Sequence, residues 1–251
     1  MLKMLRLEFF KIRRKKIWLM MILFLMVEMF SAFISASQSI ANNPEDARWE
    51  SIIYLVSSMN GLFMPILTAI VVSRICDMEH KGDTWKMLVA TNVKRGKLFS
   101  AKYICSNILL LVVLIVQTVF MVLYGNLNNF SGSFPFHLLI PFLGGALITT
   151  LVVTAIQQWI SLAIKNQAFA LCLGMIGAFI GMTAAMFPSS IRHLFIWAYY
   201  LDLSPVSYSY TESLGMVYVP ESLNVPLIIA ALVMLAVFYH LGRIQLNRQE
   251  I

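Results

Sequence analysis

Four histidines, His80, His137, His193 and His240, three cysteines, Cys76, Cys105 and Cys172, and one carboxylate inside an apolar run, Glu28, are the first residues to weigh for chemistry. No histidine falls in a His-Glu-x-x-His box, the spacing that puts two imidazoles and a general base on one helical face around zinc. The cysteines are too few and too scattered for a disulfide framework or a metal cluster, and read as packing thiols. A phosphate-cradling Gly-x-x-x-x-Gly-Lys-[Ser/Thr] loop is absent; Gly96-Lys97 lacks both the upstream glycine and the following hydroxyl. Hydrolysis inside the membrane, metal catalysis and nucleotide binding by this chain therefore have no motif to stand on, and no cofactor is expected. Glu28 is different, because a carboxylate at membrane depth is costly enough to imply pairing or function. Two readings stay open for it: a hydrogen bond to a neighbouring helix, for instance through Gln117 or Asn107, or contact with a cationic substrate.

The elements that carry these residues follow from composition. With 59% apolar and 12% charged residues among 251, the chain departs from soluble domains, which carry roughly 45–50% apolar and about 25% charged residues. A helix needs about 20 apolar residues to cross the hydrocarbon core. Six stretches qualify: 17–40, 52–72, 103–124, 136–164, 167–187 and 225–242, with Pro141 and Gly144-Gly145 expected to mark the outer turn of the fourth. The fold class expected is an all-α integral membrane protein, a single transmembrane domain over 1–251 with an amphipathic helix in 1–16, a loop at 73–102 and an outer segment at 188–224.

Orientation comes from the basic residues. Seven precede the first span (Lys3, Arg6, Lys11, Arg13, Arg14, Lys15 and Lys16), and seven lie between the second and third (Arg74, Lys81, Lys86, Lys94, Arg95, Lys97 and Lys102). Lys165, Arg243 and Arg248 fall on the same side. Only Arg48 and Arg192 lie opposite, among Glu45, Asp46, Glu50, Asp202, Glu212 and Glu221. The positive-inside rule then puts both termini in the cytoplasm. The formal charge of +7 is thus a topology signal and a contact for anionic lipid headgroups, not a nucleic-acid footprint. The N-terminal apolar run is longer than the 7–15 residues of a signal-peptide core, so it reads as an uncleaved anchor.

Three segments outside the spans have patterns of their own. Leu2, Leu5, Phe9 and Ile12 recur at helical spacing beside Lys3, Arg6 and Lys11, the pattern of an interfacial helix, which serves equally as a basic anchor or as an elbow that docks a partner. In the 73–102 loop, Gly82-Asp83 form a turn and Asp83 can cap a short helix with Trp85, Leu88 and Val89 on one side. So short a helix is unstable in water and must bury Trp85 against headgroups or against protein. Residues 188–224, with Ile191, Leu194, Phe195, Trp197, Tyr199, Tyr200 and Leu201, are too aromatic for a mobile loop; they form either an interfacial belt or a re-entrant segment.

The stretch Glu79-His80-Lys81, Thr84-Trp85-Lys86 and Leu88, followed by Arg95 and Lys102, resembles the first cytoplasmic loop of ABC type-2 permeases, and more specifically the lantibiotic-immunity branch. The resemblance covers about thirty positions as a motif and the whole chain as architecture. The commoner superfamily form has glycine directly before the threonine, where Asp83 stands here. It implies a coupling helix in which Glu79, Thr84, Trp85, Lys86 and Leu88 meet a separate ABC ATPase subunit that binds the ATP. It further implies a second permease chain, identical or paralogous, an outer segment of short re-entrant helices, a bacterial cell-membrane location, and export or expulsion of amphipathic antimicrobial peptides. The alternatives are an ABC exporter of another hydrophobic substrate and an ion-driven secondary transporter in which Glu28 carries a proton, although no inverted repeat is visible.

Overall fold

The structure is a computed structural model that describes residues 2–13, 16–81, 95–131, 134–164, 166–211 and 215–248. Helix α1 (Leu2–Arg13) precedes six long apolar helices: α2 (Ile17–Asn42), α3 (Trp49–Lys81), α4 (Arg95–Leu127), α5 (Phe136–Ala163), α6 (Gln167–Thr183) and α9 (Val225–Arg248). Between the last two come a 3₁₀ turn (Ala184–Met186), α7 (Ser189–Arg192), a second 3₁₀ turn (Ile196–Ala198), α8 (Tyr199–Asp202), and an antiparallel hairpin of β1 (Val206–Thr211) and β2 (Gly215–Pro220). Among the described residues, six helices are long and apolar enough to cross a membrane. They turn Phe30, Phe169, Phe179 and Leu232 outward, where lipid replaces water and helices satisfy every backbone group internally.

Several boundaries differ from the sequence expectation, the end of α9 at Arg248 rather than 242 among them. Helix α3 runs past 72 to Lys81, and α4 begins at Arg95, so much of the expected loop at 73–102 is helix. Each of these helices has 33 residues and so is about 50 Å long at 1.5 Å per residue, against roughly 30 Å of hydrocarbon. Hydropathy marks where a helix leaves lipid, not where its hydrogen bonds stop. A second apolar cluster of Val72, Cys76, Phe99, Leu162 and Leu246 buries these extensions against α5 and α9. In α5 the helix continues through Pro141 and the following glycines, so these residues do not form the expected turn.

The outer segment is mixed rather than helical. Ile196, Tyr199, Tyr200, Leu203 and Val206 are buried against the bundle, and the hairpin pairs Val206 with Pro220 through Thr211 with Gly215. The strand signal is the alternation Val206-Ser207-Tyr208-Ser209-Tyr210, a period-2 pattern that a membrane-scale hydropathy window averages away. The small expected re-entrant helices correspond to single turns packed on α3, α5 and α6.

Close helix approach places the core. A Cβ on Gly61 of α3 would lie 2.8 Å from the carbonyl oxygen of Gly181 on α6, so the two backbones touch only because both residues lack side chains. This is the small-residue packing that membrane helices use in place of a hydrophobic driving force.

Candidate functional site

The polar residues of the bundle gather at two levels. At the lysine- and arginine-rich end, Lys102 of α4 is fully buried. Its Nζ donates to Glu8 Oε2 of α1 at 3.1 Å and to the Ile75 carbonyl of α3 at 3.0 Å. Lys11 reaches the other carboxylate oxygen of Glu8 at 3.1 Å. A buried ammonium is tolerable only when paired and hydrogen-bonded, so this cluster fastens α1 to the point where α3 and α4 converge. Sequence reasoning took Lys102 as a loop cation and passed over Glu8. The signal was present: Glu8 occupies the same helical stripe as Leu5, Phe9 and Ile12 and is only 1% exposed, so an acid stands where the pattern calls for an apolar residue.

At mid-bundle, Glu28 of α2 is also 1% exposed. The Gln117 amide of α4 donates from Nε2 to Glu28 Oε1 and to Asn60 Oδ1 of α3, both at 3.0 Å. One side-chain amide thereby joins three helices. Asn107, the other partner open to Glu28 from sequence, donates instead to the Tyr103 carbonyl one turn earlier. Buried Asn60 Nδ2 and Gln117 Oε1 have no hydrogen-bond partner among the described residues.

Two further ties hold the outer segment down. Ser57 of α3 donates to Ser204 at 3.0 Å, and Thr150 of α5 shares a 3.0 Å hydrogen bond with the Tyr200 hydroxyl. Burial is the main reason that the Tyr200 phenol has its pKa raised, with Thr150 opposing and Glu28 adding to the effect.

Of the residues expected to contact an ATPase, Glu79 has its backbone in the last turns of α3. Its side chain, with Thr84, Trp85, Lys86 and Leu88, lies outside the described residues. The structure brings together what flanks them: α3 at Ile75 and the start of α4, with α1 fastened to both through Glu8 and Lys102.

The model of the ABC-2 family transporter proteins matches residues 4–181. The chain belongs to the ABC-2 transporter family. Among the curated proteins, none matches it. As an ABC-2 permease it is a multi-pass membrane transport component, and membership implies an ABC ATPase partner and a dimeric arrangement. The matched residues of the permease contain the Glu8–Lys102 ion pair and the Glu28–Gln117–Asn60 staple, and end within α6. The short helices, the hairpin and α9 follow after them.

Proposed function

We propose that the chain is the permease subunit of a bacterial ABC transporter that expels amphipathic antimicrobial peptides, lantibiotics foremost, from the membrane and away from the cell. The observation that carries this reading is the family match over residues 4–181. The resemblance of Glu79 to Lys102 to the immunity branch supports its peptide-specific form, and the segregation of charge supports cytoplasmic termini.

Two permease chains, identical or paralogous, surround one pathway and two ATPase subunits drive it. Glu79, Thr84, Trp85, Lys86 and Leu88 sit in a cleft of the ATPase, and nucleotide-driven closure moves them. Because α3 and α4 extend beyond the hydrocarbon and are locked to α1 by buried Lys102, a push at their ends is transmitted as a rigid-body tilt rather than dissipated in a loose loop. Tilt of α3 is passed on to α6 through the Gly61–Gly181 contact and to the outer segment through Ser57–Ser204. That outer segment meets or releases the peptide, and its acidic residues suit a cationic cargo.

The deciding experiment is to tag the C-terminus, solubilise native membranes gently and identify by mass spectrometry what co-purifies. A P-loop ATPase in near-equal amount is the expected result, and a second six-span permease beside it would make the pair heterodimeric. Recovery of the chain alone, where a known ABC complex stays intact, would overturn the reading in favour of an ion-driven carrier.

A further inference from the structure

A cavity of about 320 Å³ opens at the acidic end of the bundle, between α3, α7, α8, the hairpin and the start of α9. Its walls include Tyr54, Arg192, Asp202, Tyr208, Glu221 and Asn224. Apart from Tyr54, these residues fall after the family-matched region. The volume is at the lower end of the roughly 300–1,000 Å³ of small-molecule pockets, enough for one side chain or a small head group and too small for a folded peptide.

Charge decides which group fits. Arg192 Nε lies 2.5 Å from Asp202 Oδ1, and His193 Nε2 lies 3.8 Å from Oδ2. The Arg192 cation is thus committed to Asp202, and His193 adds positive charge only when protonated. Glu221 is exposed, opens on the same cavity and makes no ion pair among the described residues. The balance is one net negative charge. The Asp202 side chain is 1% exposed; Arg192 occupies its Oδ1, while Oδ2 has only His193 at 3.8 Å and no hydrogen bond among the described residues. A buried carboxylate oxygen without a donor is rare and calls for one. Burial raises the pKa of Asp202, with Arg192 and His193 opposing it and Glu221 adding to it, so a further cation in the cavity would relieve an existing cost.

The aromatic walls favour the same charge. Tyr54 and Tyr208 stack with centroids 5.4 Å apart, and Tyr218 closes on both at 5.6 Å. Phenol rings attract an ammonium through their quadrupole. Ser189, Ser204, Ser207 and Ser222 add hydroxyls to the lining, and Ala185, Leu201, Val206 and Leu227 add apolar surface that can take the methylenes of a lysine stem.

We infer that this cavity binds the primary ammonium of a lysine side chain presented by a peptide, held by Glu221 against Tyr54 and Tyr208, with the buried Asp202 behind them. The inference deepens the peptide-transport reading by naming the group that the outer segment recognises, and as cargo recognition it rests on that reading.

The test uses the full-length protein in nanodiscs of phosphatidylcholine and phosphatidylglycerol, with Nα-acetyl-lysine amide and its Nε-acetylated form as probes, titrated calorimetrically. The free amine binds and the acetylated probe does not. Glu221→Gln, on the exposed rim, weakens the amine by roughly tenfold, the scale of one charge-assisted hydrogen bond, and Tyr208→Ala weakens it as well. Equal binding of both probes, or wild-type affinity in both variants, would overturn the inference. So would displacement of the amine by phosphatidylethanolamine, which would reassign the cavity to a lipid headgroup. The two readings fail separately. Amine binding by a chain that co-purifies with no ATPase keeps the site and removes its role in ATP-driven transport; an intact ATPase complex whose protein binds no amine keeps the transporter and removes the site.

Discussion

A lysine with no exposed surface is an unusual residue in any protein, and Lys102 makes the sharpest residue-level prediction. Removing one partner of a buried ion pair leaves the other charge stranded and costs about 3–5 kcal/mol, whereas replacing both with well-packed neutral groups is often nearly neutral. Lys102→Met should therefore lower the thermal midpoint of the detergent-solubilised protein steeply. Combining it with Glu8→Leu should recover much of the loss, so the double variant should be more stable than Lys102→Met alone. Glu28 behaves differently, since its observed bond is to a neutral amide. Interhelical hydrogen bonds in membranes are worth on average about 0.6 kcal/mol, and glutamine at 28 can still accept from Gln117. We expect Glu28→Gln to leave both the thermal midpoint and peptide resistance near wild type. Loss of resistance in a stably inserted Glu28→Gln protein would instead give the charge a role with cargo. The position of Glu28 in an apolar run is legible from sequence; its choice of Gln117 over Asn107 is not, because the rotation of α4 decides which amide faces α2.

At the scale of elements, the α3–α6 contact and the extended α3–α4 pair are the parts that movement must use. Gly61→Leu would drive a side chain into the Gly181 carbonyl, and overpacking of this kind costs typically about 1–3 kcal/mol. The variant should insert and yet show a lowered midpoint and reduced transport, because α6 and the outer segment are displaced together. Trp85→Ala tests the other end: on the proposed reading the protein inserts normally and still holds its ATPase, but peptide no longer stimulates ATP hydrolysis. Stimulation at the wild-type level would remove Trp85 from the coupling contact. The six long helices were readable as apolar runs. Their true lengths were not, since the helices continue past the apolar runs, where Cys76 and Phe99 pack with Leu162 and Leu246 and Lys102 bonds to Glu8 and the Ile75 carbonyl. The hairpin was hidden for a related reason: six-residue strands are shorter than any window that finds membrane helices.

For the whole molecule, charge asymmetry makes a direct prediction about orientation. Single cysteines at Ser222 and at Asn247, in a background where Cys76, Cys105 and Cys172 are replaced by serine or alanine, should react oppositely with a membrane-impermeant maleimide. Ser222→Cys should label in intact cells and Asn247→Cys only after permeabilisation. The reverse pattern would invert the topology and with it the side on which an ATPase can dock. The sequence by itself determined the membrane class, the number of apolar helices, the direction of the charge gradient and the ABC-2 resemblance, because lipid imposes length and polarity rules on each segment separately. Tertiary structure alone decided that Glu8 meets Lys102 from 94 positions away, that Gln117 joins Glu28 to Asn60, and that Asp202, Glu221, Tyr54 and Tyr208 line one cavity. Those pairings depend on how helices rotate and cross, and that is set by packing between segments whose local patterns are indifferent to one another.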